Sequence, residues 1–167
     1  MFRKRVIESA LSELAKRSVA KPKTIRSVAC LVDIKASDSV DPTRYFQELF
    51  DLPENKTSTI FYVPRETKEH AQFSPQFNNR HLHWDGTLLH PMLERVTSHH
   101  FDLLVNYFVK DNLPLQSISS NINAQFRVGF STVDHRLNDF MLGEENFMPD
   151  KFIKTFRSFF SKIKTDG

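Results

Sequence analysis

Apolar positions along the chain alternate between two periods. Val6, Ile7, Ala10, Leu11 and Leu14 recur at helical spacing and predict an amphipathic helix over residues 4–17. Lys21 to Lys23 read as a connector closed around Pro22. From Ser27 to Ile34 the pattern becomes a continuous apolar run, as in a strand buried on both faces. Asp41-Pro42 then opens a helix with an acid at the cap and proline at the first position. Tyr45, Phe46, Leu49 and Phe50 are its stripe, and Pro53 stops it. Ser58 to Val63 predicts a second strand, ended by Pro64. Residues 65–85 lose periodicity and read as a long polar loop anchored by Phe73 and Phe77, with one short strand near Leu82 to Trp84.

The second half is more regular. Leu88 to Val96 predicts a short helix that tolerates Pro91 only in its first turn. Asp102 to Phe108 is a third strand, Leu113-Pro114 starts a helix bearing Leu115, Ile118 and Ile122, and Phe126 to Phe130 is a fourth strand. Phe140 to Leu142 suits a short final strand. A closing helix begins at Pro149-Asp150, with Phe152, Ile153, Phe156, Phe159, Phe160 and Ile163 on its stripe and Lys151, Lys154, Arg157, Lys162 and Lys164 off it. Strands alternating with helices imply right-handed crossovers and parallel pairing. The expected architecture is an α/β three-layer sandwich, flavodoxin-like or Rossmann-like, with a mostly parallel sheet of four to five strands preceded by a basic amphipathic helix. Residues 1–24 read as helix and connector, and 25–167 as a single domain.

Composition narrows the chemistry. A chain of 167 residues with 40% hydrophobic and 26% charged content is an ordinary globular domain. Sixteen phenylalanines supply an aromatic core, whereas the four glycines are scattered. Phosphate-cradling loops need clustered glycines, so no nucleotide loop and no cofactor are expected. Cys30 has no disulfide partner and sits inside the first apolar strand as a small hydrophobe. Arg3, Lys4, Arg5 and Glu8 interrupt any secretory apolar stretch, and no segment approaches a transmembrane length, so a cytoplasmic location is expected.

Charge is segregated. Residues 1–26 carry eight Lys/Arg against Glu8 and Glu13, a net +6, leaving −3 on the remainder. Such a helix invites an anionic macromolecule or protein partner, through Arg3, Lys4, Arg5, Lys16 and Arg17. The competing expectation is that it packs Val6, Ile7, Leu11 and Leu14 on the domain while its charges face water.

Several segments together resemble a family of small uncharacterised α/β proteins found chiefly in Bacteroidota. They are the basic N-terminal helix, Ser27-Val28-Ala29-Cys30-Leu31-Val32-Asp33, Trp84-Asp85-Gly86, Phe101-Asp102-Leu103-Leu104-Val105-Asn106-Tyr107, Phe126-Arg127-Val128-Gly129-Phe130 and Arg136-Leu137-Asn138-Asp139. The resemblance implies a bacterial protein of this fold and brings no activity with it. Residues 101–142 are also similar to the N-terminal half of heptosyltransferase-type glycosyltransferases. In those enzymes the segment is scaffold and the sugar-nucleotide site lies mostly in a second domain, for which this chain has no room. The similarity therefore implies shared architecture.

Two sets of side chains are candidates for chemistry. Open parallel sheets bind ligands beyond the carboxyl ends of their strands. There Asp33, Lys35, Arg65, Asn106, Lys110, Asn112, Ser131, Asp134 and Arg136 would gather around a small anionic or sugar-like ligand. Every parallel sheet ends in polar loops, however. The second set is His81-Leu82-His83-Trp84-Asp85, where alternation on a strand would turn His81, His83 and Asp85 to one face toward a metal. Gly86 follows where binuclear hydrolases carry a further histidine, and histidines are common in polar loops. No Gly-x-Ser-x-Gly elbow or exposed cysteine supports a nucleophile. The expectation leans away from an enzyme, toward a binding module whose N-terminal helix contacts an anionic partner. A strand-end enzyme for a small ligand or sugar nucleotide and a metal-binding protein are the alternatives. A surplus apolar face on the last helix would suit a homodimer.

Overall fold

The computed structural model describes residues 2–35, 37, 41–83 and 85–165, with side chains of the terminal helices from residue 4 and up to residue 160. Its main elements are α1 (Phe2–Lys16), β1 (Val28–Asp33), α2 (Thr43–Phe50), β2 (Thr57–Tyr62), β3 (Gln76–Phe77), α3 (Pro91–Ser98), β4 (His100–Tyr107), α4 (Leu113–Asn121), β5 (Asn123–Phe130), β6 (Phe140–Leu142) and α5 (Pro149–Thr165). The strands form one six-stranded sheet in the order β3-β2-β1-β4-β5-β6. All of its pairings are parallel.

This is the order of doubly wound dinucleotide-binding sheets. The chain builds outward from β1 through β2 to β3, then returns to β4 on the other side of β1 and builds the opposite way. Crossovers of one hand running in opposite directions place their helices on opposite faces. Accordingly α2 and α5 cover the face bearing Val28, Cys30 and Val32. On the other face α1, α3 and α4 cover Ala29 and Leu31. A strand buried on both sides needs an unbroken apolar run, and that is why Val28–Val32 shows no alternation.

The sheet has six strands rather than four to five. The unexpected strand is β3, whose two residues are too few to show a period. Main-chain bonds from Phe61 N–H to Pro75 O (3.0 Å) and from Val63 N–H to Phe77 O (2.9 Å) attach it to β2. The strand expected near Leu82 is instead one antiparallel bridge from Leu82 to Leu88, and Trp84 lies outside the described residues. The helix expected at Pro42 begins at Thr43. The Asp41 carboxylate accepts the Thr43 N–H (2.9 Å) from one residue outside, and Asp51 closes the helix in the left-handed region (φ 52°) before Pro53 arrives.

Helix α1 packs into the second layer, with Ile7 and Leu11 buried in the α4-side core. Beyond it the chain passes the start of β5, where the Gln125 amide donates to Ala20 O (3.3 Å). It emerges on the opposite face with the Lys21 ammonium 5.2 Å from the centre of the Phe159 ring. The apolar stripe of α5 is largely consumed by the core. Phe152, Ile153, Phe156 and Phe160 are buried, and Phe159 stacks on Phe140. The homodimer expected from a surplus apolar face would have to draw on other residues; the Ile163 side chain lies outside those described.

Candidate functional site

A buried polar knot holds the second half of the sheet together. The Arg127 side chain, 1% exposed, donates from Nε to Leu137 O (2.6 Å) and from Nη1 to Ile122 O (3.1 Å). Its Nη2 donates to both Ser119 O (2.6 Å) and Ser119 Oγ (2.7 Å). The acceptors include carbonyls at the C-terminal end of α4, where the helix dipole favours a cation. Burial pushes the guanidinium pKa down to about 9, with Arg17 adding to the push and Asp139 opposing it, so the group is still charged at neutral pH. Asn106 belongs to the same knot. Its amide donates to Asn138 Oδ1 (2.8 Å) and accepts from Ser119 Oγ (2.8 Å). Asn106 is fully buried, so it is withdrawn from the rim where the sequence places a ligand.

The other strand-end residues do share the C-terminal edge of the sheet, but most are committed locally. Asp33 accepts the Lys35 N–H (3.1 Å), while Lys35, Arg65 and Lys110 are exposed. Asn112 Oδ1 caps α4 at Leu115 N–H (2.9 Å). Asp134 takes the Arg136 N–H (3.0 Å) and its Nη2 (2.7 Å), and Arg136 also reaches Glu8 on α1. The Arg136 guanidinium holds the Asp134 carboxyl below its ordinary pKa. The Ser131 carbonyl contacts His135 Nε2 (3.0 Å). Asp111, between Lys110 and Asn112 on the same rim, accepts the Asp134 N–H (2.8 Å), and its carboxyl pKa is raised chiefly by burial.

The histidine segment does not form the expected strand. Asn79–His81 is a 3₁₀ turn in which His81 Nδ1 accepts the Asn78 N–H (3.0 Å). The His81 ring stands edge-on to His90 at 5.1 Å. His83 and Asp85 hydrogen-bond each other (3.0 Å) in the following turn. The alternation that would have turned His81, His83 and Asp85 toward one ion is therefore absent, because capping and turn bonds claim the segment. Among the described residues no three His, Cys, Asp or Glu side chains gather as a metal cluster.

Part of the basic N-terminal segment is likewise committed to internal pairs. Arg17 pairs with Asp139 and donates to Gln125 O (3.2 Å), and Lys16 pairs with Glu13 (3.4 Å). Lys4 and Arg5 remain exposed, and the Arg3 side chain lies outside those described.

A groove of about 730 Å³ lies elsewhere, toward the strand N-termini along the outer edge of β2. Its floor is Thr57, Ser58, Thr59 and Phe61. One wall is α2, with Thr43, Arg44 and Gln47, and the other is α3, with Met92 and Arg95, followed by His99 just past its end. The α2 wall is tied to the floor by hydroxyl chemistry. The Gln47 amide donates to Thr57 Oγ1 (2.7 Å), and the Thr43 and Thr59 hydroxyls bond each other. Arg44, Lys56 and Arg95 are exposed, and none of them forms an ion pair among the described residues. Two acids share the lining. Asp41 is occupied by the Thr43 N–H (2.9 Å) and hydroxyl, and Glu54 is exposed. The groove thus presents a modest excess of unpaired positive charge over a polar floor. The available sequence signal was Thr57-Ser58-Thr59, a hydroxyl run at the opening of the strand predicted over Ser58 to Val63.

Among the described residues no helix is long and apolar enough to cross a membrane. No curated protein matches the sequence significantly. Residues 1–163 match the profile of a family of unknown function, DUF6913, and the chain belongs to that family.

Proposed function

We propose that this protein is a binding module, without catalytic chemistry of its own, that receives an acidic polypeptide segment in the groove between α2 and α3. The observation that carries this reading is the ring of three unpaired cations, Arg44, Lys56 and Arg95, around a polar groove of about 730 Å³. That volume lies within the range of roughly 300–1,000 Å³ usual for ligand sites. The groove sets its cations around a cleft, whereas on the N-terminal segment Arg17 is held by Asp139 and Lys4, Arg5 and Lys16 lie on an open helix surface. Two carboxylates in the lining oppose a densely charged phosphate backbone, whose binding rests on many cations. A short segment with two or three acids matches the available charge. The strand-end alternative has less behind it, because Asn106, Asn112 and Asp134 already spend side-chain oxygens on internal bonds.

Fluorescence anisotropy tests the reading with a labelled hexapeptide of two central glutamates flanked by valine and threonine. A central-lysine version and a thymidine hexanucleotide serve as controls. The expected result is saturable binding of the glutamate peptide alone. Each of Arg44→Ala, Lys56→Ala and Arg95→Ala should weaken it roughly 1.4- to fivefold, as for exposed ion pairs of about 0.2–1 kcal/mol. No binding, equal binding of the lysine version, tighter binding of the oligonucleotide, or indifference to all three substitutions would each overturn it.

A further inference from the structure

Strand β2 is only partly paired on its outer side. β3 covers Phe61 and Tyr62, and no strand among the described residues pairs with Thr57–Ile60 on that side. Main-chain groups two residues apart along a strand face the same neighbour. Phe61 and Val63 donate to Pro75 and Phe77, so Thr57 and Thr59 face the groove in the same way. The Thr57 N–H turns back to Glu54 O within the preceding turn. The Thr59 N–H and the Thr57 C=O have no partner strand among the described residues and are left open on the groove floor. The Thr59 C=O, by contrast, lies opposite Pro75, which has no N–H to give it.

We infer that the acidic segment binds by strand addition, lying as a short extended strand beside Thr57–Ile60 in line with β3. The inference rests on the reading that the groove takes an acidic polypeptide, and it deepens that reading by assigning the mode of recognition. An added strand gains affinity from main-chain bonds and specificity from alternate side chains. Here the alternation meets a matching arrangement of charge. Successive residues of an added strand point to opposite faces of the sheet, where α2 supplies Arg44 and α3 supplies Arg95. Two consecutive acids would therefore address the two arginines separately. The occupant is short because Ser74-Pro75 closes one end of the groove and the turn Glu54–Lys56 the other. Exposed edges are commonly blunted by charge to prevent pairing. Arginines acting only in that way would resist an added strand, and the experiment separates the two roles.

The test repeats the anisotropy titration with the glutamate hexapeptide N-methylated at one central glutamate, then at the other. Methylation removes a main-chain donor and leaves side-chain charge intact. Only one of two consecutive amides faces β2, so one methylated peptide should lose roughly tenfold in affinity, about 1.4 kcal/mol, and the other much less. In parallel, amide exchange at Thr59 should slow at least about tenfold when the unmethylated peptide saturates the protein, because exchange tracks local opening of that bond. Equal affinity of both methylated peptides and the parent, or an unchanged Thr59 exchange rate at saturation, would overturn strand addition while leaving the acidic-segment reading intact. Failure of the parent peptide to bind would remove both.

Discussion

Arg127 offers the sharpest test of how the fold is held together. Replacing it with methionine keeps an unbranched chain in the same space and removes all four hydrogen bonds. Leu137 O, Ile122 O and Ser119 O then lose their guanidinium donor, although Ser119 Oγ still bonds Asn106. Leu137 O still accepts the Asn106 amide (3.3 Å) and Ser119 O the Ile122 N–H (3.2 Å). The cost of an orphaned acceptor, about 1–3 kcal/mol, therefore falls on Ile122 O, while the other two carbonyls each lose a charge-assisted bond of about 1.5–3 kcal/mol. Removing a buried cation returns several kcal/mol of desolvation, and the expected net loss is about 2–4 kcal/mol. A chain of this length loses about 2–4 °C of Tm per kcal/mol, so differential scanning calorimetry should record a fall of roughly 4–16 °C. Arg127→Lys should fall between, since one ammonium cannot span acceptors arranged for a planar fork. Hydrogen exchange should show the C-terminal turn of α4 losing protection first. A Tm within about 3 °C of the parent for Arg127→Met would mean these carbonyls are satisfied without the guanidinium, and the reasoning would fail.

Other outcomes follow from packing and titration. A Cβ on Gly129 would lie 2.4 Å from Asn138 Nδ2, so Gly129→Ala should displace the amide that Asn106 holds. It should destabilise by about 1–3 kcal/mol in urea unfolding, and an unchanged midpoint would show the site has slack. The His81 pKa is lowered by burial, with His90 and Arg80 adding to the effect, so the folded state favours the neutral ring. Its stabilising contribution is therefore present above the ordinary histidine pKa and lost as pH falls through the lowered one. His81→Gln, which retains an acceptor at the capping position, should flatten the decline in Tm between pH 7.5 and 5; equal declines would assign it to other groups. The Cys30 thiol is buried, and burial raises its pKa. Iodoacetamide should modify it only when denaturant opens the domain, and labelling of the native protein at the rate of free thiol would contradict its placement.

The elements that carry most of the core were legible because their patterns are local. Val28–Val32 announces a buried strand through an unbroken apolar run, and Leu103–Tyr107 and Phe126–Phe130 do so through apolar runs interrupted by Asn106 and by Arg127 and Gly129. Pro91 and Pro114 mark helix starts, since proline at an entry position loses no hydrogen bond. Strand β3 escaped because two residues have no period. Leu82 was misassigned because histidine caps and a glycine turn, rather than strand alternation, organise its surroundings.

The candidate site was far less legible. Arg17 and Arg136 look like free surface charge in the sequence, yet each finds its partner more than a hundred residues away. Asn106 looks like a strand-end amide, yet it closes a knot with Ser119 and Asn138. Arg44 and Arg95 carry no motif at all, and they become neighbours of one groove only because α2 and α3 cover opposite faces beside the same unpaired edge. By itself the sequence determined that apolar runs would build a parallel sheet sandwiched by helices, because burial and backbone hydrogen bonding act over a few residues. Only the tertiary structure decided which charges are neutralised and which strand edge stays open, because both depend on what the chain brings alongside from far away.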